Sequence, residues 1–266
     1  MRDITSPDRP HGTRGLLRAA ASSGSAETTD TNEDVWKSDH MVAQWVATAD
    51  ERERRRAEQR RLMADLLPFE DDEAFTFVDL GAGTGAATKA VLDRFPRTQA
   101  ILAEYSPQMS AEGARALSAY EGRFTYVELD LACGEWPAEI PSGVPAVISS
   151  LCVHHLPDER KKELFSEIWH HLSPGGWYFN YDAVRSDDPL VEETWLRASD
   201  RQDPEAAAAR LHRSVEEQRR YENHVRYMAP LAPQLDFLRS AGFEGIDVYW
   251  KQLDCVLYGG RRPLVA

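Results

Sequence analysis

The chain has 266 residues, 42% hydrophobic and 28% charged, enough for one sizeable core with a small appended lid. Its 44 acidic against 31 basic residues leave a formal net charge of −13, which works against the basic face that a polyanion partner needs. No run approaches the roughly 18–20 apolar residues that span a bilayer, so nucleic-acid and membrane roles recede and small-molecule chemistry comes forward.

Residues 1–30 are rich in Ser, Thr, Gly, Asp and Arg with almost no apolar periodicity, which predicts a disordered tail outside the fold. Gly15-Leu16-Leu17 and Ala19-Ala20-Ala21, broken by Arg18, are too short for a secretory apolar core, and a cytoplasmic protein is expected. Residues 31–266 then read as one domain. Val35, Trp36, Met41, Val42, Trp45 and Val46 can share one side of a first helix, and Leu62, Met63, Leu66 and Leu67 lie on a second. The tryptophans read equally as core or as a lid helix over a pocket. Between the helices, six arginines alternate with three glutamates over Glu51–Arg61. Helical spacing sets Glu51 against Arg55 and Arg54 against Glu58, predicting a solvated, self-paired face rather than a phosphate patch. Cys133, Cys152 and Cys255 lack any paired spacing and read as reduced, buried thiols.

After Pro68, short β-rich runs alternate with helical stretches, the pattern of βαβ units and a parallel sheet. Strands are predicted at Thr76–Leu80, Ala100–Glu104, Phe124–Leu129, Ala146–Ser150, Trp177–Tyr181, Gly245–Trp250 and Leu253–Tyr258. Two residues, Lys251 and Gln252, cannot hold a crossover helix, so the last pair must be antiparallel. The fold class is therefore α/β, a Rossmann-like doubly wound seven-stranded sheet. It is mostly parallel with an antiparallel C-terminal strand, preceded by N-terminal helices. A polar, helical insertion over residues 185–234 is the natural lid.

The chemistry concentrates at the strand exits. Gly81-Ala82-Gly83-Thr84-Gly85-Ala86 follows a strand and opens a helix, so its N–H groups face whatever binds there. Its spacing satisfies both G-x-G-x-G and the G-x-G-x-x-A variant of the dinucleotide fingerprint, and glycines alone do not choose between them. Asp79 favours a cationic ligand end over a pyrophosphate, or else caps the helix. Glu104, about twenty residues further on, can accept both hydroxyls of a ribose. Beyond it come Tyr105 and Met109, the latter a soft apolar contact for an adenine or simply core. Asp130 can accept an adenine amino group while the N–H of Leu131 reaches a ring nitrogen; its alternative is an ordinary N-cap.

Val78-Asp79-Leu80-Gly81-Ala82-Gly83-Thr84-Gly85 resembles the first motif of class I S-adenosylmethionine-dependent methyltransferases. Ser149-Ser150-Leu151-Cys152-Val153-His154-His155-Leu156-Pro157 and Leu172-Ser173-Pro174-Gly175-Gly176 resemble that superfamily's fourth-strand exit and its turn into the fifth strand. Ala241-Gly242-Phe243 resembles the start of its closing β-reversal. The resemblance covers about Val35 to Arg261 and is nearest to small-molecule methyltransferases, a subgroup that includes carboxy-S-adenosylmethionine synthases. It implies S-adenosyl-L-methionine as cofactor, held by Asp79, Gly81, Ala82, Gly83, Gly85, Glu104, Tyr105, Met109, Asp130, Leu131, Ser149 and Ser150. One departure is the start of the fourth strand, where Pro145-Ala146-Val147 stands in place of a frequent acidic residue.

For in-line methyl transfer the candidate bases are His154 and His155 at the fourth-strand exit and His224 and Tyr227 in the lid. Each also has a duller reading, the first two as cofactor-flanking structure and the second two as helix surface. Asp182, ending the fifth strand, either orients the acceptor or caps the next segment. His170 and His171 complete no recognisable ligand set with His154 and His155, so no metal is expected. The expected activity is methylation of a small-molecule O, N or C nucleophile, with a homodimer left open. The alternatives are carboxy-S-adenosylmethionine synthesis, for which Arg185, Arg197, Arg219, Arg220 and Arg226 are possible anion donors, and a non-catalytic cofactor-binding subunit. A nicotinamide reductase shares only the glycine pattern.

Overall fold

A computed structural model describes residues 49–264, together with 42, 43 and 47. The first predicted helix, with both of its tryptophans, and the N-terminal tail lie outside the described residues, apart from the buried Val42 and the exposed Ala43. The second predicted helix is α1, Ala49–Asp65, which buries Met63 and Ala64.

Seven strands follow: β1 Thr76–Leu80, β2 Gln99–Glu104, β3 Phe124–Glu128, β4 Val144–Ser150, β5 Leu172–Ala183, β6 Glu244–Gln252 and β7 Cys255–Arg261. They form one sheet in the order β3-β2-β1-β4-β5-β7-β6. The first five are parallel, and β7 inserts antiparallel between β5 and β6. The closing hairpin is thus antiparallel as expected. Its turn falls at Leu253-Asp254 rather than Lys251-Gln252, and Leu253 takes a positive φ of 52°. Charged and amide residues here extend strand pairing instead of ending it, because Lys251 and Gln252 pair with Val256 and Cys255.

Parallel strands need crossovers, and these are helical except between β3 and β4, where residues 129–143 form turns and loop instead of the expected helix. Helix α2 is Ala86–Arg94, α3 is Pro107–Ala116, α4 is Asp158–His171 and α8 is Leu231–Ala241. Alternate strand residues feed two cores. Val78, Leu80, Val147, Tyr178 and Tyr258 pack with Leu164, Phe165, Ile168 and Leu238 on one face. Phe77, Ile148, Phe179, Tyr181 and Leu257 pack with Met63, Val91, Leu92 and Phe95 on the other.

Three further helices make up the insertion: α5 Pro189–Gln202, α6 Pro204–Leu211 and α7 Val215–Val225. Each begins on a short polar cap, Asp188, Asp203 or Ser214, and proline occupies the first helical position in two of them. A bridge between Arg185 and Pro230 closes the base of the insertion, so its two ends leave the sheet side by side. No helix among the described residues is long and apolar enough to cross a membrane.

At Gly259 on β7 a Cβ would lie 2.2 Å from the carbonyl oxygen of Tyr178 on the neighbouring antiparallel strand β5. Gly259→Ala is expected to destabilise the fold by roughly 1–3 kcal/mol and to lower the midpoint of thermal unfolding by several degrees.

Candidate active site

The parallel strands deliver their C-terminal ends to one edge, and the side chains singled out by the sequence collect there. The β1 exit is built around backbone geometry. Gly81, Gly83 and Gly85 all have positive φ. At Gly81 there is a second constraint, because a Cβ would fall 2.0 Å from the Sγ of Cys152, which sits against the loop from the β4 exit. Glycine is therefore required there both by conformation and by the thiol packed on it. The loop is anchored by the N–H groups of Gly81 and Ala82 donating to the carbonyl of Ala103, at 2.8 and 3.2 Å.

Asp79 is fully buried. Its Oδ2 accepts from the N–H and the hydroxyl of Thr88, at 3.1 and 2.7 Å, so it does tie down the first turn of α2. Its Oδ1 is buried without a partner. Burial raises the Asp79 pKa to about 7, against the pull of the Thr88 bonds and of Arg60. The carboxylate is thus half committed to the helix and half available to a donor.

At the β2 exit, Glu104 accepts from the N–H of Gly83 through Oε2 at 2.8 Å and from Ser106 through Oε1 at 2.9 Å. Burial raises its pKa, and these backbone bonds oppose the shift. The Tyr105 N–H is a third backbone donor to it, and of a carboxylate's roughly four acceptor positions about one remains for a ligand. Tyr105 is half-buried beside it, and the buried Met109 lies in the first turn of α3. The Met109 methyl approaches to 3.3 Å of where a Cβ would stand on Gly83. At the β3 exit, Asp130 Oδ1 accepts from the Ala132 N–H at 2.9 Å, a local turn that leaves acceptor capacity over. Leu131 is buried, and its carbonyl accepts from Arg160 at 2.8 Å. Ser149 directs its hydroxyl to the Leu80 carbonyl at 2.9 Å and so holds β4 to β1.

The chain leaves β4 through Leu151, a non-glycine residue at φ 56°, and a 3₁₀ turn over Val153–His155 follows. His154 is 1% exposed. Its Nδ1 meets Asp182 Oδ1 at 2.5 Å, and its backbone N–H donates to Asp182 Oδ2 at 2.9 Å. A carboxylate on Nδ1 assigns the ring proton to that atom and leaves Nε2 with its lone pair; Nε2 is buried without a partner. Asp182 therefore orients a histidine, a role that neither sequence reading, orienting the acceptor or capping the next segment, included. Its position is fixed by the N–H of Ala183 at 2.9 Å and the Asn180 amide at 3.3 Å. Asn180 in turn donates to Tyr258, which donates to Gln234, which holds the carbonyl of Ala229 at the foot of the lid.

His155 stacks obliquely on His154 with ring centroids 4.0 Å apart, and its Nδ1 is buried without a partner. From α7 of the lid, His224 brings its ring to 4.7 Å from His154 and 5.1 Å from His155. Burial and the neighbouring rings hold His155 well below the ordinary histidine value. His224 counts as an exposed residue, yet the protein around its ring lowers its pKa to about 4, with burial the first cause and His154 the second. Tyr227 is not drawn into this cluster by any contact. Its carbonyl accepts from the buried Lys161 at 2.5 Å and its ring lies under Arg226, so its contacts anchor the insertion.

Three expectations need correction. The Glu51–Arg61 face is not simply solvated, because Arg60 is buried with its Nε 3.4 Å from the Ser150 hydroxyl, and Arg55 pairs with Asp203 of the lid at 2.6 Å. Local spacing could not reveal this, because the partners are distant in sequence. Cys133 is exposed rather than buried. Arg197 and Arg185 pair with Glu193 and Glu192 instead of converging on an anion. Two cations near the site are Arg56 and Arg60 of α1, which both lower the Tyr181 pKa against the burial that raises it. The two arginines lie four apart on one helix face, a signal legible in the sequence once the helix is known to cross the strand ends.

A glycine loop ringed by acidic residues at the strand exits thus lies on one edge of an α/β sheet closed by a reversed hairpin. Residues 78–178 match a family model described as a methyltransferase domain. The trans-aconitate 2-methyltransferase of Azoarcus sp. (strain BH72) is 32% identical over 133 residues, covering 50% of this chain and 46% of that one. The carboxy-S-adenosyl-L-methionine synthase of Shewanella sp. (strain ANA-3) is 27% identical over 116 residues, 43% of this chain and 46% of that one. The chain thus spans about half the length of these curated relatives. Human N-acetylserotonin methyltransferase in complex with SAM superposes with a TM-score of 0.61 at 16% identity, covering 90% of this chain and 60% of that chain. PigF with SAH gives 0.60 at 18% identity, covering 86% and 61%. Residues 78–178 thus match a methyltransferase domain, and the chain shares its fold with these methyltransferase structures.

Proposed function

We propose that this chain transfers a methyl group from S-adenosyl-L-methionine to a small-molecule acceptor, and that the acceptor is activated at the histidines of the β4 exit. The observation that carries this reading is His154, buried, oriented by Asp182 through Nδ1 and left with an unpartnered Nε2 on the edge where the cofactor residues meet. A carboxylate that only capped a segment would not need a buried imidazole beside it.

The residues at the β1 to β3 exits fit the cofactor. Asp79 keeps a buried, unpartnered Oδ1 for an ammonium group. Glu104 is positioned by the glycine loop itself to accept a ribose hydroxyl, with Met109 as the apolar contact and Asp130 and Leu131 for the base. When bound, the cofactor supplies an electrophilic methyl group on a sulfonium. The protein aligns the acceptor's lone pair with that methyl, excludes water under the lid, and takes the acceptor's proton at His154 Nε2. His155 and His224 stand beside that atom, uncharged at neutral pH, and do not repel a developing imidazolium as cations would.

The acceptor class follows from the same edge. Arg56 and Arg60 from α1 favour an acceptor bearing a carboxylate, as does the similarity to a methyltransferase named for trans-aconitate. A carboxylated cosubstrate is also what carboxy-S-adenosylmethionine synthesis requires, and that name among the relatives supports it as the second reading. The test is a screen of metabolite extracts with methyl-labelled cofactor, followed by mass spectrometry. A labelled acceptor and S-adenosylhomocysteine are expected; a carboxylated cofactor product selects the second reading. Absence of S-adenosylhomocysteine binding by calorimetry, with NADH bound instead, overturns both.

A further inference from the structure

We infer that His154, His155 and His224 form a binding site for one divalent transition-metal ion of the zinc type, open at its fourth position. Among the described residues these three side chains each offer one ring nitrogen, and the three nitrogens lie within 4.8 Å of one another. Two of the nitrogens point to a ligand independently of the cluster itself. His154 Nε2 and His155 Nδ1 are buried and have no hydrogen-bond partner, and an orphaned buried polar atom destabilises unless something satisfies it. An ion satisfies both at once.

The surroundings have the form that such sites take. A histidine that ligates a metal usually donates its other ring N–H to a carboxylate, which fixes the tautomer and makes the ligating nitrogen more basic. Asp182 does this for His154 at 2.5 Å and is itself held by three donors, the N–H groups of His154 and Ala183 and the Asn180 amide. Three imidazoles with no fourth protein ligand are the open donor set of a catalytic zinc site, in which a water or substrate oxygen takes the remaining position. Nitrogens at zinc stand roughly 2.0–2.1 Å from the ion, so the three must draw closer than their present spacing. The element free to do this is α7, because His224 is exposed on the lid while His154 is locked by Asp182. Ion binding would then draw the lid toward the cofactor edge.

The chemical use of this ion rests on the proposed methyl transfer, whereas its binding does not. An acceptor hydroxyl at the open position would lose its proton to bulk water more readily. Its oxygen would then form the bond to the methyl carbon as the carbon–sulfur bond breaks, leaving S-adenosylhomocysteine. The histidines would hold the ion that acidifies the acceptor rather than take the proton themselves. Spacing in sequence could not disclose the set, since His224 is 69 residues from His155. The sequence-adjacent pair His170 and His171 spends its Nδ1 atoms on the carbonyls of Ser166 and Glu167.

The test uses the full chain, stripped with EDTA and dialysed, then titrated with ZnCl₂ in competition with a fluorescent chelator and separately with CoCl₂. One equivalent of zinc is expected, together with the intense visible bands of four-coordinate cobalt. His224→Ala, an exposed lid position that the fold can lose, is expected to weaken zinc at least tenfold and to abolish those bands; His155→Ala is expected to do the same. His170→Ala with His171→Ala is expected to leave both unchanged. Zinc affinity unaltered in His224→Ala, or weak six-coordinate cobalt spectra in the unsubstituted protein, overturns the site. S-adenosylhomocysteine binding, measured on the same samples, separates failure of the metal site from failure of the cofactor reading.

Discussion

Substituting His154 with Gln is expected to lower kcat by a factor of about 10²–10⁴, measured with the acceptor found in the extract screen, while S-adenosylhomocysteine affinity stays within about threefold. The fold should survive the change. Asp182 keeps the His154 backbone N–H, the Ala183 N–H and the Asn180 amide as donors, so no buried carboxylate is stranded. The glutamine amide can also replace the lost Nδ1–H. What disappears is the lone pair on Nε2, and that loss is the same whether the atom takes a proton or holds an ion. Asp182→Asn is expected to fall between the two proteins, because the imidazole remains but its tautomer and orientation are no longer dictated. Turnover within a few-fold of the unsubstituted enzyme in His154→Gln would remove the histidine cluster from the chemistry and leave alignment as the protein's main contribution.

The sheet was readable because its strands are short apolar runs separated by helical segments, and that alternation admits few topologies. Every predicted strand is present, β1 with its predicted ends and the others longer or shorter by a few residues. The largest extension is β5, which runs from Leu172 through the Pro174-Gly175-Gly176 turn, since pairing resumes on both sides of a bulge opposite Val144 and Ala146. Asp79, Glu104 and Asp130 were also readable, because each lies within two residues of the end of a strand and strand ends are set by local pattern. The acceptor side was less so. His224 and Arg60 reach the site only through helices that cross the strand ends, a matter of tertiary packing that no local period encodes. The buried chain from Asp182 through Asn180, Tyr258 and Gln234 to Ala229 was invisible for the same reason, since it joins β5, β7, α8 and the base of the lid. That chain ties the base of the 185–234 insertion to the residue that orients His154.

Asp79 makes the cofactor step sensitive to pH in a way that distinguishes a ligand contact from a helix cap. Its folded pKa is raised by burial from 3.8 to about 7. For a raised carboxylate, the stability this group contributes is fully present below the unfolded value and is lost as pH rises through the folded one. By this group alone, the cofactor-free protein should therefore lose on the order of a few kcal/mol between about pH 4 and pH 8. A cationic cofactor end reverses the preference, since an ammonium at Oδ1 favours the ionised form. S-adenosylhomocysteine binding is accordingly expected to strengthen as pH rises from 6 to 7, by up to about tenfold, and to level off above 8. Over the lower part of that range it should also release a proton, read by calorimetry in buffers of different ionisation enthalpy. Asp79→Asn retains an oxygen for Thr88, so α2 stays capped, but it is expected to weaken the cofactor at least tenfold at pH 8 and to flatten its pH dependence. If Asp79→Asn binds as tightly as the unsubstituted protein at pH 8, the carboxylate serves α2 alone and the cofactor's ammonium is held by some other group on this edge.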